Sequence, residues 1–208
     1  MNNKYLLICL CLCTGTLFAQ INSIERQLFE LPDVLFSPNK TPYGFQEAFE
    51  LRVKQPLDHK APEKGFFYQK VYLSHRNREA NTVFVSEGYQ ANSNRIYELS
   101  ELLSANQIVV EHRFFGKSQP DSIDYQYLNL EQATADLHRI NQLFKSIYSN
   151  KWISTGISKG GQTAIFYRYF YPDDVDISIP YVAPLNLELE DKRIYAFLDT
   201  IGSDTCRN

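Results

Sequence analysis

The stretch that decides the fold, residues 151–161, reads KWISTGISKGG. Its first part is apolar and β-prone, its second part contains Gly-x-Ser-x-Gly, and a helical pattern follows at once. This arrangement predicts a nucleophile elbow, in which a strand ends, the chain turns sharply and Ser158 presents its hydroxyl outward. Gly156 and Gly160 flank the turn because a Cβ at either position would collide with the adjacent strand or helix. The alternative interpretation is a structural serine in an ordinary strand–helix turn.

Around this stretch, hydrophobic periodicity predicts alternating strands and helices. The predicted strands are residues 49–53, 66–73, 82–85, 107–110, the strand of the elbow, and 175–182. The predicted helices are residues 94–104, 129–148, 159–170 and 187–198. Two antiparallel strands followed by strand–helix units indicate an α/β fold, with a mostly parallel sheet covered by helices on both faces.

Length and charge restrict the function classes. The chain has 208 residues and a formal net charge of −3. The length suffices for one domain with a real core, and the charge gives no reason to expect nucleic acid or an anionic membrane as a partner. No group of residues shows metal-ligand spacing and no glycine-rich phosphate loop is present, so neither a metal nor another cofactor is expected.

The N-terminus has the composition of an export signal. Lys4 supplies a positive start, residues 5–18 form an apolar run too short to cross a bilayer comfortably, and Ala19 is a suitable cleavage position. We therefore expect a signal peptide over 1–19, an irregular arm over 20–45 and part of a catalytic domain over 46–208. After cleavage only Cys206 would remain of four cysteines, as a thiol with a missing partner or a tolerated terminal residue.

Several motifs together resemble those of exported serine exopeptidases of the α/β-hydrolase fold. The resemblance is greatest to the secreted tripeptidyl aminopeptidase family, to which prolyl carboxypeptidases and dipeptidyl peptidases are related. The motifs occur in the same order over roughly residues 45–208. They are QPLDH at 55–59, EHRFFGKS at 111–118, YL at 127–128 with Gln132, Ala133 and Asp136, GISKGG at 156–161 and YVAP at 181–184.

The resemblance implies a Ser-Asp-His triad in that chain order, with a helical cap between the serine and the aspartate. All four histidines of this chain precede Ser158. The catalytic Asp and His are therefore expected beyond residue 208, together with the cap and the last strands, so that the chain looks like an N-terminal portion. Alone, it is expected to be nearly inert and to expose an unpaired hydrophobic sheet edge.

Within the elbow, Ser158 is the candidate nucleophile and the backbone N–H of Lys159 a candidate oxyanion donor. The second donor is expected from the loop after the third predicted strand, at Gly88 or Tyr89. A plain turn glycine is the alternative interpretation of Gly88. His112 precedes the nucleophile, so it is interpreted as a packed residue near the site rather than as the base.

Two carboxylates each follow the end of a predicted strand. Glu87 and Glu111 are candidates for binding a substrate α-ammonium by a charge-assisted hydrogen bond. The alternative for each is an exposed or Arg-paired carboxylate, and Arg113 stands near Glu111 in sequence.

The leading hypothesis is an exported, periplasmic or extracellular serine exopeptidase that acts on peptides. No membrane contact is expected beyond the export signal. An esterase or lipase on the same elbow is one alternative, since Gly-x-Ser-x-Gly does not separate peptides from esters. A non-catalytic remnant or binding protein that keeps the fold is the other.

Overall fold

The computed structural model describes residues 23–207, so the signal-peptide prediction for residues 1–19 lies outside the described residues. Within that range seven strands form one sheet: β1 (Val34–Pro38), β2 (Glu47–Pro56), β3 (Phe66–His75), β4 (Thr82–Ser86), β5 (Asn106–Val110), β6 (Trp152–Ile157) and β7 (Ile177–Tyr181). The helices are α1 (Ile24–Glu30), α2 (Glu98–Leu102), α3 (Leu130–Lys145), α4 (Lys159–Phe170), α5 (Lys192–Leu198) and α6 (Asp204–Arg207). Short 3₁₀ turns lie at Pro62–Lys64 and Tyr125–Tyr127.

The sheet has the spatial order β1-β2-β3-β5-β4-β6-β7. The first three strands pair antiparallel and β3 joins β5 antiparallel, whereas β5, β4, β6 and β7 run parallel. This confirms the predicted antiparallel start and parallel continuation. Because β4 and β6 are parallel neighbours, their carboxyl ends lie at the same edge of the sheet. The chain continues from β4 to β5 on one side and from β6 to β7 on the other, and α/β sheets place ligand sites at such a point.

Both faces of the sheet are covered. Phe84 of β4 packs on one side with Trp152 and Tyr167, while its neighbours Val83 and Val85 belong to a second cluster on the other side. This alternation follows from the two-residue period of a strand. The predicted helix 129–148 is confirmed as α3, which Asn129 caps by accepting a hydrogen bond from the Gln132 N–H at 3.0 Å.

The N-terminal arm differs from the prediction of irregular structure over 20–45. It contains α1, whose Ile24 and Leu28 are buried in the main core, and β1, which extends the sheet beside β2. A seven-residue helix and a five-residue strand have too little periodicity to stand out in sequence. Both are stabilised by tertiary packing rather than by local propensity.

The predicted helix 94–104 is shorter than expected and covers only Glu98–Leu102. The side chain of Gln107 on β5 accepts from the Tyr97 N–H and donates to the Arg95 carbonyl, both at 2.8 Å. These bonds replace the first helical turn, so the backbone there stays extended. The last predicted helix likewise begins at Lys192 rather than near 187, because Asp191 caps it. No helix within residues 23–207 has the length and apolar character needed to cross a bilayer.

Candidate active site

The elbow lies between β6 and α4 as the sequence predicts. Ser158 has φ 54° and ψ −120°, a conformation that non-glycine residues rarely adopt. Its N–H donates to the Tyr181 carbonyl at 3.0 Å and its own carbonyl accepts from the Gln162 N–H at 2.9 Å. The backbone is therefore held on both sides of the strained residue, and the side chain is left exposed.

Close backbone packing explains the two flanking glycines. A Cβ on Gly160 would overlap the carbonyl oxygen of Ser86, and a Cβ on Gly156 would overlap the carbonyl of Gly160. The Ser86 hydroxyl also donates to the Gly160 carbonyl at 2.8 Å. These contacts confirm the expectation that any side chain would collide with the adjacent strand and helix.

Gly160→Ala tests this packing. Because the added methyl meets backbone and not a flexible side chain, we expect the free energy of unfolding to fall by about 1–3 kcal/mol, measured by urea denaturation. Gln162→Ala, two residues further along the same helix, adds no volume and serves as the control. Equal stabilities of the two variants would contradict the tight contact.

The loop after β4 lies against the elbow. A Cβ on Gly88 would come within 2.7 Å of the Gly160 nitrogen and of the Lys159 Cβ, so the two backbones touch. Among residues 23–207 the N–H groups of Gly88, Tyr89 and Lys159 have no hydrogen-bond acceptor. Unpaired N–H groups in the loop after a strand and at a helix N-terminus, side by side, are able to donate together to one negatively charged oxygen.

Glu111 anchors this loop and does not face the open side of the site. Its carboxylate is 0% exposed and accepts from the Ala91 N–H, the Lys117 N–H (both 2.8 Å) and the Ser118 hydroxyl (2.9 Å). Lys70 of β3 pairs with it at 2.9 Å. With both oxygens occupied in the interior, Glu111 is not placed to bind a substrate ammonium. This corrects the sequence-based expectation and the suggested pairing with Arg113.

Arg113 pairs instead with Asp136 of α3, and both side chains are 0% exposed. Nε and Nη2 donate to the two carboxylate oxygens at 2.7 Å each, and His59 Nε2 contacts the same carboxylate at 2.7 Å. Burial alone would raise the pKa of Asp136, but the charge and hydrogen bonds of Arg113 and His59 outweigh it and hold the pKa below its usual value. This cluster joins α3 to the turn after β2.

The rest of the EHRFFG segment shapes the same loop. The His112 N–H donates to the Tyr89 carbonyl at 3.0 Å, and the Phe115 ring packs edge-on against Tyr89. Gly116 has φ 53°, and a side chain there would overlap the Glu111 carboxylate. The segment that carried the family resemblance thus builds the wall of the candidate site.

The histidines have structural surroundings. His112 is buried, its Nδ1–H donates to the Arg113 carbonyl at 3.0 Å, and burial, with the nearby Lys159 charge, lowers its pKa to about 4. His75 contacts the Tyr148 hydroxyl (2.9 Å) and His138 contacts Asp174 (2.7 Å). The sequence does not indicate these partners, and it does not indicate that His59 contacts Asp136. Within residues 23–207 the Ser158 hydroxyl has no hydrogen-bond partner, so none of these histidines acts on it.

Glu87 lies beside the loop and is partly exposed. Its Oε1 accepts from the Tyr97 hydroxyl and lies 3.5 Å from Arg95, so the Arg-paired interpretation describes its surroundings. Its Oε2 has no partner among the described residues. In the described part of the chain no three His, Cys, Asp or Glu residues are grouped as metal ligands.

Comparison with solved structures agrees with this architecture. Acetyl xylan esterase 1 from Thermoanaerobacterium aligns with a TM-score of 0.52 at 14% identity, covering 85% of this chain and 61% of the other. An acetyl xylan esterase from Paenibacillus aligns at 0.53 and 13%, covering 86% and 61%. At such identities the likeness concerns the fold alone. The fold, with its strained serine between a parallel strand and a helix, defines the α/β-hydrolase class.

A family model described as PS-10 peptidase S37 matches residues 19–208, and the chain belongs to this family. It is 36% identical over 186 residues to the prolyl tri/tetrapeptidyl aminopeptidase of Streptomyces mobaraensis, which covers 88% of this chain and 39% of that protein. It is 27% identical over 175 residues to the mouse lysosomal Pro-X carboxypeptidase, covering 74% and 36%. The chain thus spans less than half the length of these relatives. The family match confirms the resemblance inferred from the motifs.

Proposed function

We propose that this chain carries the nucleophile and the oxyanion hole of an exported serine exopeptidase of the tripeptidyl aminopeptidase kind. The observation that supports this most is the strained, exposed Ser158 beside three unpaired backbone N–H groups, in a chain of the S37 family. Residues 1–19, with the composition of a signal peptide, make export part of the same proposal.

In the proposed reaction the Ser158 oxygen attacks the carbonyl carbon of a peptide bond as its proton passes to a base. The negative charge that develops on the carbonyl oxygen is stabilised by the N–H groups of Lys159 and of Gly88 or Tyr89. The tetrahedral intermediate expels the amine, which takes a proton, and leaves an acyl group on Ser158. Water then releases the acyl group by the reverse sequence of proton transfers.

The base and its orienting carboxylate are proposed to come from chain beyond residue 208. Without a base near Ser158 the 208-residue chain alone should label only weakly with a fluorophosphonate probe. Strong labelling of that chain would contradict this part of the proposal. Labelling of the full-length protein, with little or no labelling of the 208-residue chain, would support it.

A pair of substrates tests the reaction class. We expect the full-length protein to hydrolyse tripeptide amides with a free N-terminus and to cleave their N-acetylated counterparts and simple short esters much more slowly. The reason is that the free Glu87 Oε2 is proposed to accept a hydrogen bond from the substrate ammonium. Steady-state rates on the three substrate types give the comparison.

Glu87→Gln removes the charge and keeps the shape. It should raise KM for the free tripeptide amide by about 10-fold, corresponding to roughly 1.5 kcal/mol for a hydrogen bond to a charged group. The KM for the N-acetylated substrate should change little, which makes that substrate the internal control. Preference for esters would instead favour an esterase, and no hydrolysis of any substrate would favour a non-catalytic protein.

A further inference from the structure

In the loop after β4, the carbonyl groups of Gly88, Tyr89 and Ala91 each accept a hydrogen bond from a residue outside the loop. The Lys159 ammonium donates to the Gly88 carbonyl at 2.7 Å, and the His112 N–H donates to the Tyr89 carbonyl at 3.0 Å. Two residues further on, Glu111 accepts from the Ala91 N–H and Lys70 donates to the Ala91 carbonyl. The carbonyl groups are thereby occupied, whereas the N–H groups of Gly88 and Tyr89 are unpaired among residues 23–207.

The Lys159 ammonium lies near two aromatic rings where it donates to the Gly88 carbonyl. Its Nζ lies 5.2 Å from the centre of the Tyr89 ring and 5.3 Å from that of Phe115, and the two rings meet edge to face. No carboxylate pairs with it within the described residues. A partly buried lysine ammonium without a counter-ion loses part of its hydration, and a charge-assisted bond to the Gly88 carbonyl, together with the two nearby aromatic rings, compensates for this loss.

We propose that Lys159 is a positioning residue for the oxyanion hole through its side chain. By binding the Gly88 carbonyl oxygen, the ammonium fixes the orientation of the Gly88–Tyr89 peptide. The Tyr89 N–H then points away from Lys159 and is free to donate to the substrate oxyanion. The peptide is trans and planar, so a carbonyl pointing to Lys159 requires the next N–H to point away from it. This inference rests on the proposed function. It assigns a part to the Lys side chain that is separate from that of its backbone N–H.

A pH dependence follows from the same contact. Burial lowers the pKa of Lys159 to about 8, so the ammonium loses its proton as the pH rises past this value. Among residues 23–207 the titratable side chains that interact with it are Tyr89 and His112, and His112 is already neutral there because its pKa lies at about 4. We therefore expect kcat to decline on the alkaline side with an apparent pKa of about 8.

The test compares the full-length wild type with Lys159→Met, which keeps the apolar stem but has no donor, and with Lys159→Arg, which stays charged throughout this range. Lys159→Met should lower kcat by about 10- to 100-fold and leave KM within about twofold, a smaller loss than the roughly 100- to 1,000-fold for removing an oxyanion donor, because the Tyr89 N–H itself remains. Lys159→Arg should retain more activity and lose the alkaline decline. Lys151→Met, at the opposite end of β6, is the control with unchanged kinetics.

Hydrogen exchange measured by mass spectrometry provides a readout that does not need catalysis. In Lys159→Met, amides of residues 87–92 and the His112 amide should exchange faster than in the wild type. Unchanged exchange, or unchanged kcat and pH profile in an enzyme that Ser158→Ala inactivates, would overturn the inference and leave the proposed function standing. Activity that survives Ser158→Ala would overturn the proposed function itself.

Discussion

Replacing Ser158 by alanine is expected to lower kcat of the full-length protein by about a million-fold and to abolish fluorophosphonate labelling. The loss is large because the hydroxyl is proposed to form the covalent bond of the acyl-enzyme, and alanine has no nucleophilic atom to replace it. Folding should be unaffected, since the exposed hydroxyl makes no hydrogen bond to residues 23–207. Urea denaturation measured beside the activity assay separates the two effects.

Ser154→Ala is the matched control. Ser154 lies on the same strand, four residues earlier, and its hydroxyl pairs with that of Ser178 at 2.7 Å. Its loss should cost about 1 kcal/mol of stability and leave labelling intact. Labelling that persists in Ser158→Ala, with a modified site elsewhere by peptide mapping, would show that the elbow does not carry the nucleophile.

Replacing Arg113 by methionine is expected to lower the free energy of unfolding by about 3–5 kcal/mol. The reason is that Asp136 would remain as a charge in the interior, with its two 2.7 Å bonds to the guanidinium removed. The backbone carbonyls of Leu57 and Tyr127, which accept from Arg113 Nη1, would also lose a donor. Urea denaturation midpoints at constant m-value measure the effect.

The chain offers a second Arg–Asp pair as the control. Arg139 and Asp33 also meet at 2.7 Å, but their side chains are 35% and 44% exposed. Arg139→Met should therefore cost no more than about 1 kcal/mol, because water and salt screen an exposed pair. If the two variants lost equal stability, burial would not be what distinguishes the pairs. Arg113→Met combined with Asp136→Leu should recover part of the loss, since it removes the unpaired charge.

The elbow and the long helix were predictable because their signals are local. A strand, two glycines at fixed spacing around a serine, and a helix require only neighbouring residues, and the contacts of Gly156 and Gly160 agree with that interpretation. The same applies to α3, where an Asn cap and a periodic apolar stripe coincide. Helix 94–104 was overestimated because its competitor, the Gln107 side chain, lies on another strand.

The roles of the charged residues were not predictable in the same way. Glu111 and Lys70 are brought together by the pairing of β3 with β5, and His59 meets Asp136 across 77 positions of sequence. An EHRFFG string shows only that a carboxylate and an arginine lie two residues apart along the chain. The strand ends at Val110 and the chain turns from Arg113 on, so a spacing of two residues does not bring these side chains together, and proximity in sequence predicted the wrong pair.

Sequence by itself determined the fold class, the place of the elbow serine in it and the family, because these depend on periodicity, on glycine spacing and on motif order. Only the tertiary structure decided that Glu111 is an internal anchor, that Arg113 belongs to Asp136, and that Lys159 reaches the Gly88 carbonyl. Each of these depends on which strands become neighbours and on how much water their side chains lose there. The free energy of a charged side chain in the folded protein depends on its burial and on its long-range partners, and the neighbouring residues in sequence predict neither.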